Sequence, residues 1–436
     1  MACHARSRVY RPGNEEEVIV ALADARRRGL TVVARGSGLS YGDAALNQGG
    51  ATLLTTRLGG IVDFDPERGN VRARAGTTMR ELWRTVLPLG WWPPVVPGTM
   101  EVTLGGAVGM NIHGKNQLVK GSIGEHVVSL SVVRGDGTLE RLTAAERPAE
   151  IRRVVGAQGL TGTVTDVTLR LQRVHSGYLE VESLNTRDIV ETLDVLEERA
   201  PGAAYAVAWI DCLPEKRAGR GILHFADHLP PDHALGGKGL SLEDQDLPSR
   251  LLGVVPRDMA WMGLRPLAND PGMRFLNTGR FLAGRLRHGH RYVQSHAAFH
   301  FLLDYVPGWK RVYAPHGLIQ YQLFVPREAA RRAYREALAL QHRLGVHAWL
   351  GVVKRHRADD FVASYSVDGF SLALDIPVRP GRLDRLRALC RSYDDLLARV
   401  GGKLYAAKDA VGRGILPRDR HPLFSSNLVR RWEAGG

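Results

Sequence analysis

From Glu15 onward apolar residues recur with helical spacing, with Val18, Leu22 and Ala25 on one face and charged residues on the other. Asn14 can cap this helix, and Glu15, Glu16 and Glu17 suit the positive end of its dipole. Gly29 stops it, and a short strand over 31–34 follows. Strand-like alternation returns over 71–75. Gly76-Thr77-Thr78 then turns the chain into a helix carrying Leu82 and Val86. Further strands are predicted over 127–133 and 163–171, so the first 175 or so residues mix helix and strand. Beyond about 177 aromatics and histidines become more frequent. Strands are predicted there over 204–210, 318–325, 349–354 and 371–376, and amphipathic helices over 187–199, 327–344 and 382–399. The stretch 226–250, rich in Pro, Gly and charge, reads as a mobile surface loop. No internal repeat is visible.

Two glycine-rich stretches interrupt this pattern. The first, Arg35-Gly36-Ser37-Gly38-Leu39-Ser40-Tyr41-Gly42-Asp43, directly follows a strand. Glycines there permit positive φ and close approach of a ligand, and successive N–H groups can form an anion-binding nest. An ordinary tight turn would also explain it. The second holds Pro97-Gly98-Thr99, Thr103-Leu104-Gly105-Gly106, His113-Gly114-Lys115-Asn116 and Gly121-Ser122-Ile123-Gly124 within 28 residues. That density excludes a regular element and suits a pyrophosphate with its ribityl chain. Neither stretch matches the dinucleotide fingerprint G-x-G-x-x-G or the phosphate-binding G-x-x-x-x-G-K-[ST].

Composition narrows the classes further. With 436 residues, 44% hydrophobic and 24% charged, the chain can bury the cores of two or three domains. No stretch approaches the ~18 uncharged apolar residues of a membrane span, and the N-terminus lacks the apolar core of a signal peptide. Cys3, Cys212 and Cys390 are scattered and odd in number, which points to a reducing cytoplasm. His296, His300 and His316 lack ligand spacing, so no metal is expected. The net charge is +14, but only eight of the 59 basic residues are lysines and the arginines are spread along the chain. A nucleic-acid partner is therefore not expected. An anionic substrate, or at most peripheral contact with an acidic membrane surface, fits the charge better. The polar loop 226–250 offers such a surface little apolar area.

The order of these pieces resembles the vanillyl-alcohol-oxidase-like flavoproteins with a PCMH-type FAD domain. Arg35-Gly36-x-Gly38-x-Ser40-Tyr41-Gly42-Asp43, Pro97-Gly98-Thr99, His113-Gly114-Lys115-Asn116, Gly159-Leu160-Thr161-Gly162 and Tyr405-x-Ala407-Lys408-Asp409 are similar to the branch that oxidises decaprenylphosphoryl-ribose. The similarity extends through Gln320-Tyr321-Gln322 and Lys354. It implies a two-domain α+β fold: an FAD domain over 1–176 completed by 403–436, and an inserted antiparallel-sheet-plus-helices substrate domain over 177–402. It also implies FAD held by 35–41, 97–99, Thr103, Gly105, Gly106, Asn111, His113, Gly114, Asn116, Ser122, Gly124, Gly159, Gly162, Val164 and Tyr405. Leu39 stands where many relatives carry the histidine linked covalently to the flavin, so FAD is expected to be non-covalent.

An alcohol oxidase passes a hydride from a carbinol carbon to flavin N5, loses the hydroxyl proton and stabilises the charge left behind. Lys408 is the candidate for charge stabilisation and hydroxyl orientation. His113 is a candidate proton acceptor or substrate positioner, and Tyr41 a relay or stacking wall. Lys115, Trp209, Gln320, Gln322, Lys354, Ala373 and Lys408 are expected at the substrate. Lys115, two residues after His113, should share its face in strand-like geometry. Trp209 and Trp309 are expected to build cavity walls. The resemblance implies conversion of a ring hydroxyl to a ketone on a glycosyl phosphate such as decaprenylphosphoryl-ribose, the first half of an epimerisation that an NAD(P)-dependent ketoreductase partner completes. Three departures stand against the same substrate. Ala373 replaces the family's cysteine in Gly369-x-x-x-Ala373-x-Asp375, the segment between Lys408 and His421-Pro422 is about a dozen residues shorter, and the chain begins almost at its first helix. A soluble sugar, aminoglycoside or nucleoside is the alternative, and a non-catalytic flavin-binding module a third reading.

Overall fold

A computed structural model describes residues 4–251, 253–409 and 414–434. Helix Glu15–Arg27 starts as its cap demands, with the Asn14 side chain accepting from Glu17 N–H, and Val18, Ala21, Leu22 and Ala25 are buried. It connects parallel strands of a small sheet ordered Arg8–Tyr10, Ala51–Leu54, Val32–Arg35. A five-stranded antiparallel sheet follows, ordered Ile61–Asp65, Asn70–Arg74, Thr163–Arg170, Val127–Val133, Leu139–Thr143.

The rest of the chain builds an eight-stranded antiparallel sheet. Its order is Arg291–Ser295, Tyr178–Thr186, Arg220–His228, Tyr205–Asp211, Leu350–His356, Gly369–Pro377, Leu318–Pro326, Lys403–Leu404. Strict alternation gives this sheet two different faces. Tyr321, Leu323, Val325, Leu372, Leu374, Ile376 and Val353 pack into one apolar cluster with helices Ile189–Arg199, Arg327–Leu344 and Leu383–Val400. The residues between them face the other way. Gln322 lies opposite Ala373, Ala373 opposite Val352, Val352 opposite Trp209, and Trp209 opposite Ile222. This row, with Gln320, Lys354, His356, Ser371 and Asp375 beside it, forms a polar face turned away from the three helices.

Mixed helix-and-strand architecture agrees with the α+β expectation, and the helices over 187–199, 327–344 and 382–399 form within a residue or two of those bounds. Two readings need correction. The segment 226–250 begins inside strand Arg220–His228 and is anchored, not free. Buried Gln245 donates to the carbonyls of Gly177 (2.8 Å) and Gly239 (2.7 Å) and accepts from Ala297 N–H (3.0 Å). Helix Asp270–Arg285 was hidden by Pro271, Gly272, Gly279 and Gly284, residues that disfavour helix interiors. Pro271 is harmless in the first turn, where its missing N–H has no partner to lose. Gly284 lets the helix press onto the sheet: a Cβ there would lie 2.6 Å from Ile222 Cδ1. Cys212 and Cys390 are buried and free, while Cys3 and residues 410–413, part of the shortened segment, lie outside the described residues.

Candidate active site

The two glycine-rich stretches meet as one cradle. Gly36 sits so close to the second stretch that a Cβ on it would lie 2.0 Å from Thr103 Oγ1. Against the expectation of no regular element in this stretch, a short helix Leu104–Gly109 forms, capped by Thr103, which accepts from Gly106 N–H, and Gly105 packs on Ala75. Gln158 N–H donates to Gly109 (2.8 Å), which brings up the turn holding Gly159 and Gly162, and Val164 is buried on the strand that follows. Asn111 adopts φ 45°, accepts from Gly124 N–H through Oδ1 (3.0 Å) and leaves its buried Nδ2 without a partner. Asn116 holds the proline loop through Pro94 O (2.8 Å), Gly114 packs on Asn116, and Ser122 bridges His113. Thr99 Oγ1 donates to Asp304 (2.8 Å), and Gly98 O accepts from Leu303 N–H. The N–H groups of Ser37, Gly38, Leu39 and Ser40 meet no backbone acceptor among the described residues. Buried oxygens of Gln158, Thr161 and Thr163 are likewise unpartnered. Buried polar side chains are rarely left unpaired, so these oxygens, with the solvent-reaching N–H groups of 37–40, shape the cradle for a polar ligand.

The polar face of the eight-stranded sheet closes on this cradle through segment 405–409. Asp409 N–H donates to Gln320 O (3.0 Å) while Gln320 N–H donates to Asp409 Oδ2 (2.8 Å). On the other side Tyr41 N–H donates to Ala407 O (2.9 Å). Lys408, gripped between the two, places its Nζ 4.1 Å from the centre of the Tyr41 ring. Burial lowers the Lys408 ammonium below its usual range and raises the Asp375 carboxyl, and each charge partly restrains the other. Gln320 Nε2 donates to Asp375, which fixes that carboxylate beneath the site. The Tyr41 phenol, also pushed up by burial and then by Asp375, stays protonated and can donate its hydroxyl; Trp309 lies against it, ring centres 6.3 Å apart.

His113 is ringed by His356, Tyr405, Tyr365 and Phe324 at 4.9–5.8 Å between ring centres. Burial first, then the charges of Lys354, His356 and Lys408, hold its imidazole well below the ordinary pKa and therefore neutral. Lys354 Nζ is 3.4 Å from Nδ1 and Gln322 Nε2 is 3.3 Å from Nε2. A neutral imidazole cannot accept at both nitrogens. Turning the Gln322 amide over resolves this: Nδ1 accepts from Lys354, Nε2–H donates to Gln322 Oε1, and an otherwise unpartnered buried oxygen is satisfied.

Lys115 departs from expectation. Its ammonium reaches the Phe299 carbonyl and lies 4.1 Å from the centre of the Phe299 ring, so it does not share the ring neighbours of His113. Burial brings both Lys115 and Lys354 down to about 7, with the charge of Lys354 adding to the effect on Lys115 and that of Lys408 adding to the effect on Lys354. Trp209 stands on the same polar face under the guanidinium of Arg280 (4.6 Å). Asp375 and Asp409 were named from sequence only as motif members without a role, and His356 and Tyr365 were not named at all. The two-residue repeat from Ala373 to Asp375 and from Lys354 to His356 could have found two of them; Tyr365 lies in a loop with no such signal.

The FAD binding domain family matches residues 7–143. Decaprenylphosphoryl-beta-D-ribose oxidase of Mycolicibacterium smegmatis is 30% identical over 445 residues, covering 96% of this chain and 93% of that protein. The chain belongs to that oxidase family. Its match to D-arabinono-1,4-lactone oxidase of Eremothecium gossypii is 26% over 44% of this chain and 37% of the relative. D-lactate dehydrogenase of Archaeoglobus fulgidus matches at 26% over 37% of this chain and 38% of its own. This oxidase-family member is an FAD-dependent oxidoreductase acting on alcohol groups, and FAD is its cofactor. The cradle fits that group: glycines leave room for close approach, and unpaired N–H and side-chain groups await polar partners. No helix of the described residues is long and apolar enough to cross a membrane.

Proposed function

We propose that the chain oxidises a ring secondary hydroxyl of a lipid-linked glycosyl phosphate, such as decaprenylphosphoryl-ribose, to a ketone, and that a ketoreductase partner then completes an epimerisation. The observation that carries this reading is the convergence of Lys354 and Lys408 on a neutral histidine, with Lys115 within charge range of Lys354, three of only eight lysines in an arginine-rich chain. Bound FAD supplies the acceptor for the carbinol hydride. Lys408 orients the reacting hydroxyl and places positive charge where negative charge develops. The hydroxyl proton passes to the His113–Lys354 pair, both members of which can be neutral near pH 7. Lys115, set apart on Phe299, meets the phosphate, and Trp209, Gln320, Gln322 and Ala373 shape the sugar's floor. In this reading the cradle, with residues 1–176 and 403–436, is the FAD domain, and 177–402 is the substrate domain.

FAD is held without a covalent bond, because the alkyl side chain of Leu39 cannot form one. Acid precipitation then sends yellow colour into the supernatant; colour kept in the pellet refutes this part. Ala373, where the family carries cysteine, favours a second reading: a soluble sugar, aminoglycoside or nucleoside. Anaerobic mixing of the oxidised enzyme with farnesylphosphoryl-ribose and, separately, with soluble glycosides separates the two. Bleaching of flavin absorbance by the first supports the proposal. Bleaching by soluble glycosides alone rejects it while leaving the oxidase chemistry standing.

A further inference from the structure

Helix Asp270–Arg285 closes one end of the polar sheet face. Asn277, Phe281 and Gly284 are its buried side; Asn277 donates to Asp211 (2.9 Å) and to Trp349 O (2.7 Å), and Gly284 rests on Ile222. Arg280 leans over Trp209 on the flank of that side. At about 100° per residue, Phe275, Leu282 and Leu286 all fall on the pole opposite the buried face. A surface helix ordinarily carries charge on that pole. Here Phe275 is 74% exposed, Leu282 52% and the C-capping Leu286 81%, with only Gly279 among them. Arg274 and Arg285, both exposed, border the stripe, and Arg287 and His288 follow it. The preceding helix, Ala260–Leu264, is joined through the turn Arg265–Leu267 and adds exposed Met262, with Met259 just before it. Single exposed leucines are unremarkable, but three large apolar side chains in one helical register, bordered by arginines, form an interfacial face.

We propose that this face docks the enzyme on an anionic bilayer surface, with Phe275, Leu282 and Leu286 entering the headgroup region and the bordering arginines meeting lipid phosphates. The +14 charge of the chain gives the same preference for an acidic surface. The inner side of the helix reaches Trp209, so docking sets the end of the sugar-binding face at the membrane, where a lipid-linked substrate resides. That purpose rests on the reading given under Proposed function; the docking itself does not.

Flotation of the FAD-loaded full chain with vesicles of phosphatidylglycerol and phosphatidylcholine, and with phosphatidylcholine alone, tests it. The enzyme floats with the anionic vesicles at least about tenfold better than with neutral ones. The F275S/L282S/L286S variant loses about tenfold of that binding, and R274E/R285E loses the preference for anionic lipid. Wild-type enzyme left in the soluble fraction, or a triple variant that floats equally well, overturns the proposal. A dimer seen by sedimentation and abolished by the triple variant, without vesicle binding, assigns the face to a second copy and also overturns it. Both proteins are then given farnesylphosphoryl-ribose in detergent. Equal bleaching shows an intact active site in the variant. Flotation with no bleaching in either leaves docking standing and removes the lipid-linked substrate reading instead.

Discussion

The two faces of the eight-stranded sheet are drawn from the same strands, one residue apart, yet they are built to opposite rules. On one face Tyr321, Leu323, Leu372 and Leu374 are fully buried under three helices. On the other, Gln320, Gln322, Lys354 and Asp375 sit at polar positions among groups whose pKa values burial has moved. The apolar face gains free energy from removing surface from water. The polar face surrenders some of it, since buried ammonium groups close to one another are unfavourable until an anion or negative charge joins them. The contrast teaches where stability and chemistry reside: substitutions on one face should lower stability and spare the reaction, and those on the other should slow the reaction without lowering stability.

The largest expected effect is at Lys408. Lys408→Ala keeps its FAD but slows anaerobic flavin reduction by roughly 10²–10³-fold in stopped flow, the cost of removing one preorganised charge-stabilising group. An unchanged rate makes Lys408 a bystander. Leu374→Ala, one residue before Asp375 and on the opposite face, should cost about 2–5 kcal/mol in urea unfolding, with reduction per folded molecule unchanged. A matching loss of rate would break the division between faces.

Lys354 sharpens the comparison through pH. Its folded-state pKa lies near 7, below the unfolded value of 10.5. Between those values the unfolded chain binds the extra proton, so stability rises with pH across that window; below about 7 the penalty is present in full. Lys115 contributes with the same sign. Lys354→Met should therefore raise the thermal midpoint at pH 6.5 more than at pH 9.5 and flatten the rise between them, while slowing flavin reduction. An equal change in midpoint at both pH values refutes the buried-charge account. The smallest effect belongs to Ala373→Cys, which restores the family's residue opposite Gln322 and should alter reduction by less than about threefold, since no proton or hydride passes through that side chain. A larger change would make this position part of substrate choice.

Much of the site was legible before any fold. Glycine density at 35–43 and 97–124 announced a cradle, because only glycine leaves room for a side chain to press onto the backbone as Thr103 does at Gly36. The sheet faces could be read from a two-residue repeat wherever a strand was recognised, as over 318–325 and 371–376. Strands Tyr178–Thr186 and Arg220–His228 were missed, since half-polar sequences form strands only when neighbours supply the ladder. Helix Asp270–Arg285 escaped because its glycines serve packing and not propensity, and the apolar pole that it exposes escaped with it.

By itself, then, the sequence determined local matters: where helices start at Asn14 and Asp188, where glycines forbid side chains, and which residue types were at hand for the chemistry. Tertiary structure alone decided their meeting. Lys408 reaches Tyr41 because Asp409 pairs with Gln320 on one side and Ala407 accepts from Tyr41 on the other, across separations of 89 and several hundred residues. It decided too that Lys115 turns to Phe299 and not to the ring neighbours of His113, and that Lys354 acts on Lys115 while Lys408 acts on Lys354. The physical reason is range. Caps, turns and periodicity act over a few residues, whereas burial and charge act through space, and a pKa shifts only where the fold has chosen the neighbours.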